Sequence, residues 1–250
     1  MGQDEIMMTT NRWKLAQTHE KRFWEAAAER IAARDAHGLS WYKWRAENLL
    51  EMVKRAFPTG PPSFADGRVL EVGSGPVGVV AFLEAAERIA IDPLSDFYAT
   101  QPALIEHRNP QVKYQAARGE ELGLADGSLD LVIIENVIDH VEDADAVMKE
   151  IHRVLKPGGI LFLTVNLHPA WGALLHRLAS TLRIDRCHPH TFTIRRIERF
   201  LAEHGYEILY REWQDCRECR RKDLASPAVK DKLKALSGLS EFLFTSVSLK

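Results

Sequence analysis

Two rhythms run along this chain. Short apolar runs at 68–72, 88–91, 112–115, 129–134, 160–165, 206–213 and 242–249 read as strands. Between them, apolar residues return every three or four positions, which predicts helices over 77–86, 96–106, 144–155 and 194–203. The run 129–134 is apolar almost throughout apart from Asp130, as expected of a strand covered on both faces. The helix 144–155 carries Val147, Met148, Ile151 and Val154 on one side and is stopped by Lys156-Pro157-Gly158-Gly159. Thr193 is placed to cap the helix 194–203, and Gly205 closes it. The order β-α-β-α-β-β-α-β, with the third and fourth strands joined by the long 116–128 loop, predicts an α/β protein with a doubly wound parallel sheet.

The first sixty residues differ. Trp13, Leu15, Ala16, Phe23, Trp24, Ala27 and Ile31 recur at helical spacing, Gly38 interrupts, and Ser40 is placed to cap a second helix with Trp41, Trp44, Leu49, Leu50 and Val53. Residues 1–11 are polar and acidic, read as frayed and unlike a secretory signal. Pro58 to Gly67 reads as a linker. The division is a helical segment over 1–62 and a larger domain over 63–250. The aromatic helices have two readings. They form an amphipathic pair packed on the core, or a lid with Trp41-Tyr42-Lys43-Trp44-Arg45 facing a ligand.

Candidate chemistry centres on Val69-Leu70-Glu71-Val72-Gly73-Ser74-Gly75-Pro76-Val77-Gly78. Glycines after a strand allow a tight turn and close approach of a ligand to the backbone. The next strand ends in Asp92, where a carboxylate can accept both hydroxyls of a ribose. A glycine turn with an acid at the neighbouring strand end is a nucleoside-binding arrangement. The Gly-x-Gly-x-x-Gly spacing alone also fits a nicotinamide-cofactor oxidoreductase.

Composition narrows the function classes. A net charge of −2 over 250 residues gives the chain no global drive toward nucleic acid or anionic membrane. No apolar run approaches the roughly 20 residues a membrane span needs. Three cysteines argue against a disulfide framework and for a reducing, cytoplasmic setting.

Five blocks in order carry a resemblance: 69–75; Ile91-Asp92-Pro93; Gly119-Glu120-Glu121-Leu122; 126–132; and Glu150 to Gly159. Over about residues 66–210 the chain resembles the class I S-adenosylmethionine-dependent methyltransferases, in particular their small-molecule, type 11-like branch. The resemblance implies a Rossmann-like, mostly parallel seven-stranded sheet whose last strand, 242–249, is antiparallel and inserted between the fifth and sixth, with an N-terminal helical cap. It implies S-adenosylmethionine as cofactor, with S-adenosylhomocysteine as product. Carried over by position, Glu71, Gly73, Gly75, Asp92 and Pro93 would meet the methionine and ribose parts. Gly119 and Glu120 would lie along the adenine, and Glu135 and Asn136 would close the far side. Arg118 stands where the family often has an acid toward the adenine amine, and Pro76 where many members have a small or hydroxyl residue. Acceptor recognition falls to the lid and to insertions at 166–192 and 214–240.

Methyl transfer from a sulfonium needs positioning, and a hydroxyl acceptor also needs a base. His140 after the fourth strand, and His188 and His190 after the fifth, are the candidates. The expected acceptor is a small molecule bearing a hydroxyl: a sugar, a glycolipid precursor or a secondary metabolite. The alternative is a cofactor-binding partner protein without transferase activity. Cys216 and Cys219, with Cys187, form at most a weak zinc signature, and no metal is expected. The basic run Arg217 to Lys222 reads as a solvated helix face, or as a contact for a phosphate on a nucleotide-sugar or lipid. Near-neutral charge and the missing base-methylation signature after the fourth strand speak against a nucleic-acid substrate.

Overall fold

A computed structural model describes the chain over residues 3–33, 39–181 and 189–250, with side chains from Trp13 onward and without those of 179–181. Seven strands form one sheet: β1 (Arg68–Val72), β2 (Glu87–Ile91), β3 (Val112–Gln115), β4 (Leu129–Glu135), β5 (Leu155–Leu167), β6 (Glu207–Trp213) and β7 (Phe242–Leu249). Their order is β3-β2-β1-β4-β5-β7-β6. β7 pairs antiparallel with β5 and with β6; the pairings among β1 to β5 are parallel. The expected doubly wound sheet with an inserted antiparallel last strand is therefore present.

Strand parity builds two cores. Leu70, Val72, Val132 and Ile134 point to one face, where α5 (Ala144–Val154) and α7 (Ile194–Glu203) cover them. Val69, Leu131 and Ile133 point to the other, against α2 (Trp41–Ala56). The α2 stripe Tyr42, Ala46, Leu49 and Val53 is buried at helical spacing. Each buried Leu or Val there contributes about 1.5–3 kcal/mol of burial free energy. Glu71 and Glu135 share the parity of Val69 and Ile133, so both carboxylates end up beneath α2.

Several local readings change. Residues 77–86 hold a one-turn 3-10 helix, Val79–Phe82, where an α-helix was expected. Gly78 sits at φ +82° and interrupts the helix start. Eight residues are then left to return along a strand of about 16 Å, and an α-helix of that length rises only about 12 Å. The expected helix 96–106 is split into α3 (Ser95–Ala99) and α4 (Pro102–Ile105), because Pro102 fits a first helical turn and not an interior. The 1–11 segment read as frayed is helical from Gln3, within α1 (Gln3–Ala32). Ser40 stands at the α2 N-cap without a side-chain capping bond, whereas Thr193 caps α7 by accepting from the Arg196 N–H. Strand β5 starts at Leu155, so the Lys-Pro-Gly-Gly block lies inside it. The insertions hold α6 (Ala170–Thr181), and α8 (Cys216–Ala225) with α9 (Val229–Ser237). Among the described residues no helix is long and apolar enough to cross a membrane.

Candidate active site

The carboxyl ends of β1, β2 and β4 and the helices α1 and α2 enclose a cavity of about 270 Å³. Ligands of open α/β folds bind at this edge. All nine residues expected to hold the cofactor line it: Glu71, Gly73, Gly75, Asp92, Pro93, Gly119, Glu120, Glu135 and Asn136. His140 lines it too.

The glycine turn is braced from several directions. Gly73 and Gly75 have φ of +72° and +61°, a region that strains other residues. The N–H groups of Gly73 and Ser74 both donate to the Ile91 carbonyl. The Gly75 N–H donates to Asp92 Oδ2 at 2.9 Å, and the Leu94 N–H to Oδ1 at 2.8 Å. The buried Tyr98 hydroxyl also bonds this carboxylate, which leaves part of its acceptor capacity for a further donor. Burial pushes the Asp92 carboxyl up to about 6, against the pull of those two N–H bonds. From above, the Tyr42 hydroxyl donates to the Ser74 carbonyl at 3.2 Å.

Glu71 works from below. Its Oε2 accepts the Val80 N–H at 2.8 Å, tying the end of β1 to the 3-10 turn that replaces the expected helix. Burial, then repulsion from Glu135, push its carboxyl up to about 8; the Val80 and Val79 N–H groups and the Arg45 charge oppose this. Arg45 of α2 reaches Glu135 at 2.6 Å and stacks on Trp41. Burial raises the Glu135 carboxyl as well. Glu20, Asp92, Glu120 and Glu135 line the cavity against Arg45, with Glu71 largely protonated near neutrality, so the site suits a cationic ligand.

A measurable pH effect follows. With its carboxyl raised from 4.5 to about 8, Glu71 favours folding fully below pH 4.5, and this contribution is lost as pH rises through 8. Asp92 adds the same sign between 3.8 and about 6. The ligand-free melting temperature is expected to fall between pH 5 and 8.5, and Glu71→Gln to flatten that slope. Melting curves of both proteins across this range check it; parallel slopes would sink the idea.

Side chains from the helices were only partly legible. Trp13, Ala16, Gln17, Glu20 and Trp24 form one stripe of α1 on the cavity, and Trp41, Tyr42 and Arg45 one face of α2. Lys43 and Trp44, expected to face a ligand with them, point to solvent. Gln17 and Glu20 were missed, though polar residues inside an apolar helical stripe are a readable signal. The Gln17 Oε1 and Asn136 Oδ1 atoms are buried without a partner among the described residues, and both residues line the cavity. Two orphan acceptors call for a ligand that brings N–H or O–H donors.

Other expected residues fall elsewhere. His190 does not line the cavity. Its Nε2–H donates to the Val141 carbonyl at 3.1 Å, and burial lowers its imidazole. It lies in a separate cleft with Arg177, Arg195, Arg196 and Arg199. His188 and Cys187 lie outside the described residues. Cys216 and Cys219 pack against the α5–α7 core, and no metal-holding group of His, Cys, Asp or Glu occurs among the described residues. Arg118 turns from the cavity to pair with Glu142 at 2.7 Å and to stack on Trp13. Glu120 accepts the Glu142 N–H at 3.1 Å, so it braces the 136–143 loop.

Fold and geometry together place an acid-lined cavity at the carboxyl edge of β1, β2 and β4. Residues 70–163 match the family model described as a methyltransferase domain. The chain is 29% identical over 167 residues to the ubiquinone/menaquinone biosynthesis C-methyltransferase UbiE of Rubrivivax gelatinosus, covering 62% of this chain and 65% of that protein. It is 34% identical over 116 residues to the human thiol S-methyltransferase TMT1B, covering 44% and 47%. The chain thus spans less than two thirds of the length of these relatives. Among solved structures, a geranyl diphosphate methyltransferase in complex with S-adenosylmethionine shares the fold at a TM-score of 0.61 and 13% identity, covering 89% of each chain.

Proposed function

We propose that this protein transfers the methyl group of S-adenosylmethionine to a small-molecule acceptor, with α1 and α2 serving as the lid of the site. The carrying observation is the convergence of the glycine turn, Asp92, Glu135 and His140 on one acid-lined cavity. The residues fit that cofactor. Asp92 retains acceptor capacity for a ribose hydroxyl beside its bonds from Gly75, Leu94 and Tyr98, and Gln17 and Asn136 offer buried acceptors for amine donors. The surrounding carboxylates favour a positive charge. When bound, S-adenosylmethionine supplies a methyl group already activated on a sulfonium.

The chain's own residues then orient and deprotonate. The Glu71–Val80 bond and the Tyr42–Ser74 bond hold the glycine turn in place. Trp13, Trp24 and Trp41 line the cavity and offer apolar cover against water once a ligand is seated. His140 stands at its wall with Asp139 Oδ2 3.8 Å from Nε2. An imidazole at the cavity wall supports a hydroxyl acceptor whose proton His140 takes. The relatives named for C- and S-methylation leave the acceptor atom to this argument alone.

Calorimetry tests the binding half: S-adenosylmethionine and S-adenosylhomocysteine are expected to bind and NAD to give no heat. His140→Gln tests the chemistry. With a hydroxyl acceptor, kcat is expected to fall about 10²–10⁴-fold while affinity for S-adenosylmethionine stays within about twofold. Unchanged kcat would remove His140 as base. Cofactor binding without transfer to any acceptor would favour the non-catalytic partner reading.

A further inference from the structure

We propose that α6, α8 and α9 form a docking surface for an anionic lipid bilayer. The observation is an uncovered apolar face on two touching helices. Trp171, Leu174 and Leu178 on α6, and Val229, Leu233 and Leu236 on α9, are each 50–70% exposed. Their spacing puts each trio on one helical face. The opposite faces are pinned inward: Ala173 and His176 of α6 are buried, with His176 Nδ1 2.7 Å from Thr191 Oγ1, and Ala235 of α9 is fully buried. The helices meet at Gly172, where a Cβ would overlap the Gly238 carbonyl, and Gly238 in turn lies against the Trp171 indole. The two stripes therefore adjoin where Trp171 at the start of α6 meets Gly238 at the end of α9. Exposed apolar patches of this extent mark interaction sites.

Charge selects the occupant. From Cys216 to Ser237 the chain carries seven basic and three acidic residues, in a protein whose total formal charge is −2. Lys230 and Lys232 flank the α9 stripe, and Arg217, Arg220, Arg221 and Lys222 project from the exposed α8 beside it. Arg195 and Arg199 add unpaired cations near Arg177 of α6, among the described residues. A second copy placed on this face by a twofold axis would set like charges together. An anionic bilayer instead accepts the apolar side chains at its headgroup boundary and the cations at its surface, with Trp suited to that boundary. The surface hangs from the carboxyl ends of β5 and β6, the sheet edge that also bears the cavity. The docking does not depend on the transferase reading. That an acceptor would be drawn from the membrane does rest on it.

The test is co-sedimentation of the full chain with vesicles of phosphatidylcholine, with and without about a quarter phosphatidylserine. Partition is expected to be at least about tenfold stronger with the anionic lipid and to weaken in high salt. Leu233→Ser combined with Leu236→Ser, and separately Lys230→Glu combined with Lys232→Glu, should each reduce it about tenfold or more. These residues are exposed, so unchanged circular dichroism and cofactor affinity keep the comparison valid; Trp171→Ala is the alternative should the double leucine variant not fold. No sedimentation with anionic vesicles would overturn the proposal. So would light scattering that finds a dimer lost in the leucine variant and no vesicle binding.

Discussion

Asp92→Ala is expected to weaken S-adenosylmethionine binding by about 100-fold or more. A hydrogen bond from a hydroxyl to a carboxylate contributes about 1.5–3 kcal/mol, and about 1.4 kcal/mol is a factor of ten. The same carboxylate holds the Gly75 and Leu94 N–H groups, so the alanine also releases the turn. Asp92→Asn separates the two effects. It preserves volume and one carbonyl acceptor but sets its amide nitrogen against one of the two backbone N–H groups, so its melting temperature should fall less than that of Asp92→Ala. The amide removes the negative charge and turns one acceptor into a donor, so affinity should still fall steeply. Calorimetric titration of both variants reads the result. Native affinity in a folded Asp92→Ala protein would contradict the ribose assignment.

Gly73→Ala is expected to destabilise the protein by about 2–4 kcal/mol and to abolish measurable cofactor binding. At φ +72° an alanine is strained, and its Cβ would overlap Val137 Cγ2. Val137 lines the cavity, so relieving the overlap pushes its side chain into the space proposed for the cofactor. The companion variant Gly73→Ala with Val137→Ala relieves the overlap but not the backbone strain. It should recover part of the stability, with a coupling energy measurable in a double-mutant cycle. Denaturant unfolding of the four proteins provides the cycle. Strict additivity would show that Val137 does not set the requirement for glycine.

The core of the fold was legible because its signals are local. Runs such as 129–134 can bury both faces only inside a parallel sheet, and the 112–115 and 242–249 strands fall where the pattern predicts them. Misreadings cluster where chain length or a single residue competes with periodicity. Residues 77–86 have helical spacing, yet Gly78 and the short return path reduce them to one 3-10 turn. Pro102 divides the next helix in the same way. Positions of the cavity residues on the strand ends could be read off. The helical contributions from Gln17 and Glu20 were missed, although polar residues set inside the apolar stripe of α1 mark that face.

By itself the sequence determined the glycine turn, the acid at the end of β2, the strand order's parallel core and the amphipathic N-terminal helices, because each follows from residue type, spacing and strand parity. Tertiary structure alone decided three things. It set Glu71 beneath the turn next to Glu135, where burial holds its carboxyl near 8. It moved His190 out of the cavity into an arginine-lined cleft while leaving His140 at the wall. It brought Trp171 of α6 against the end of α9, gathering apolar side chains and cations distant in sequence into one surface. Net charge sums over the whole chain and is blind to that grouping, whereas electrostatic and hydrophobic contacts act over a few ångströms and respond to where the fold puts each side chain.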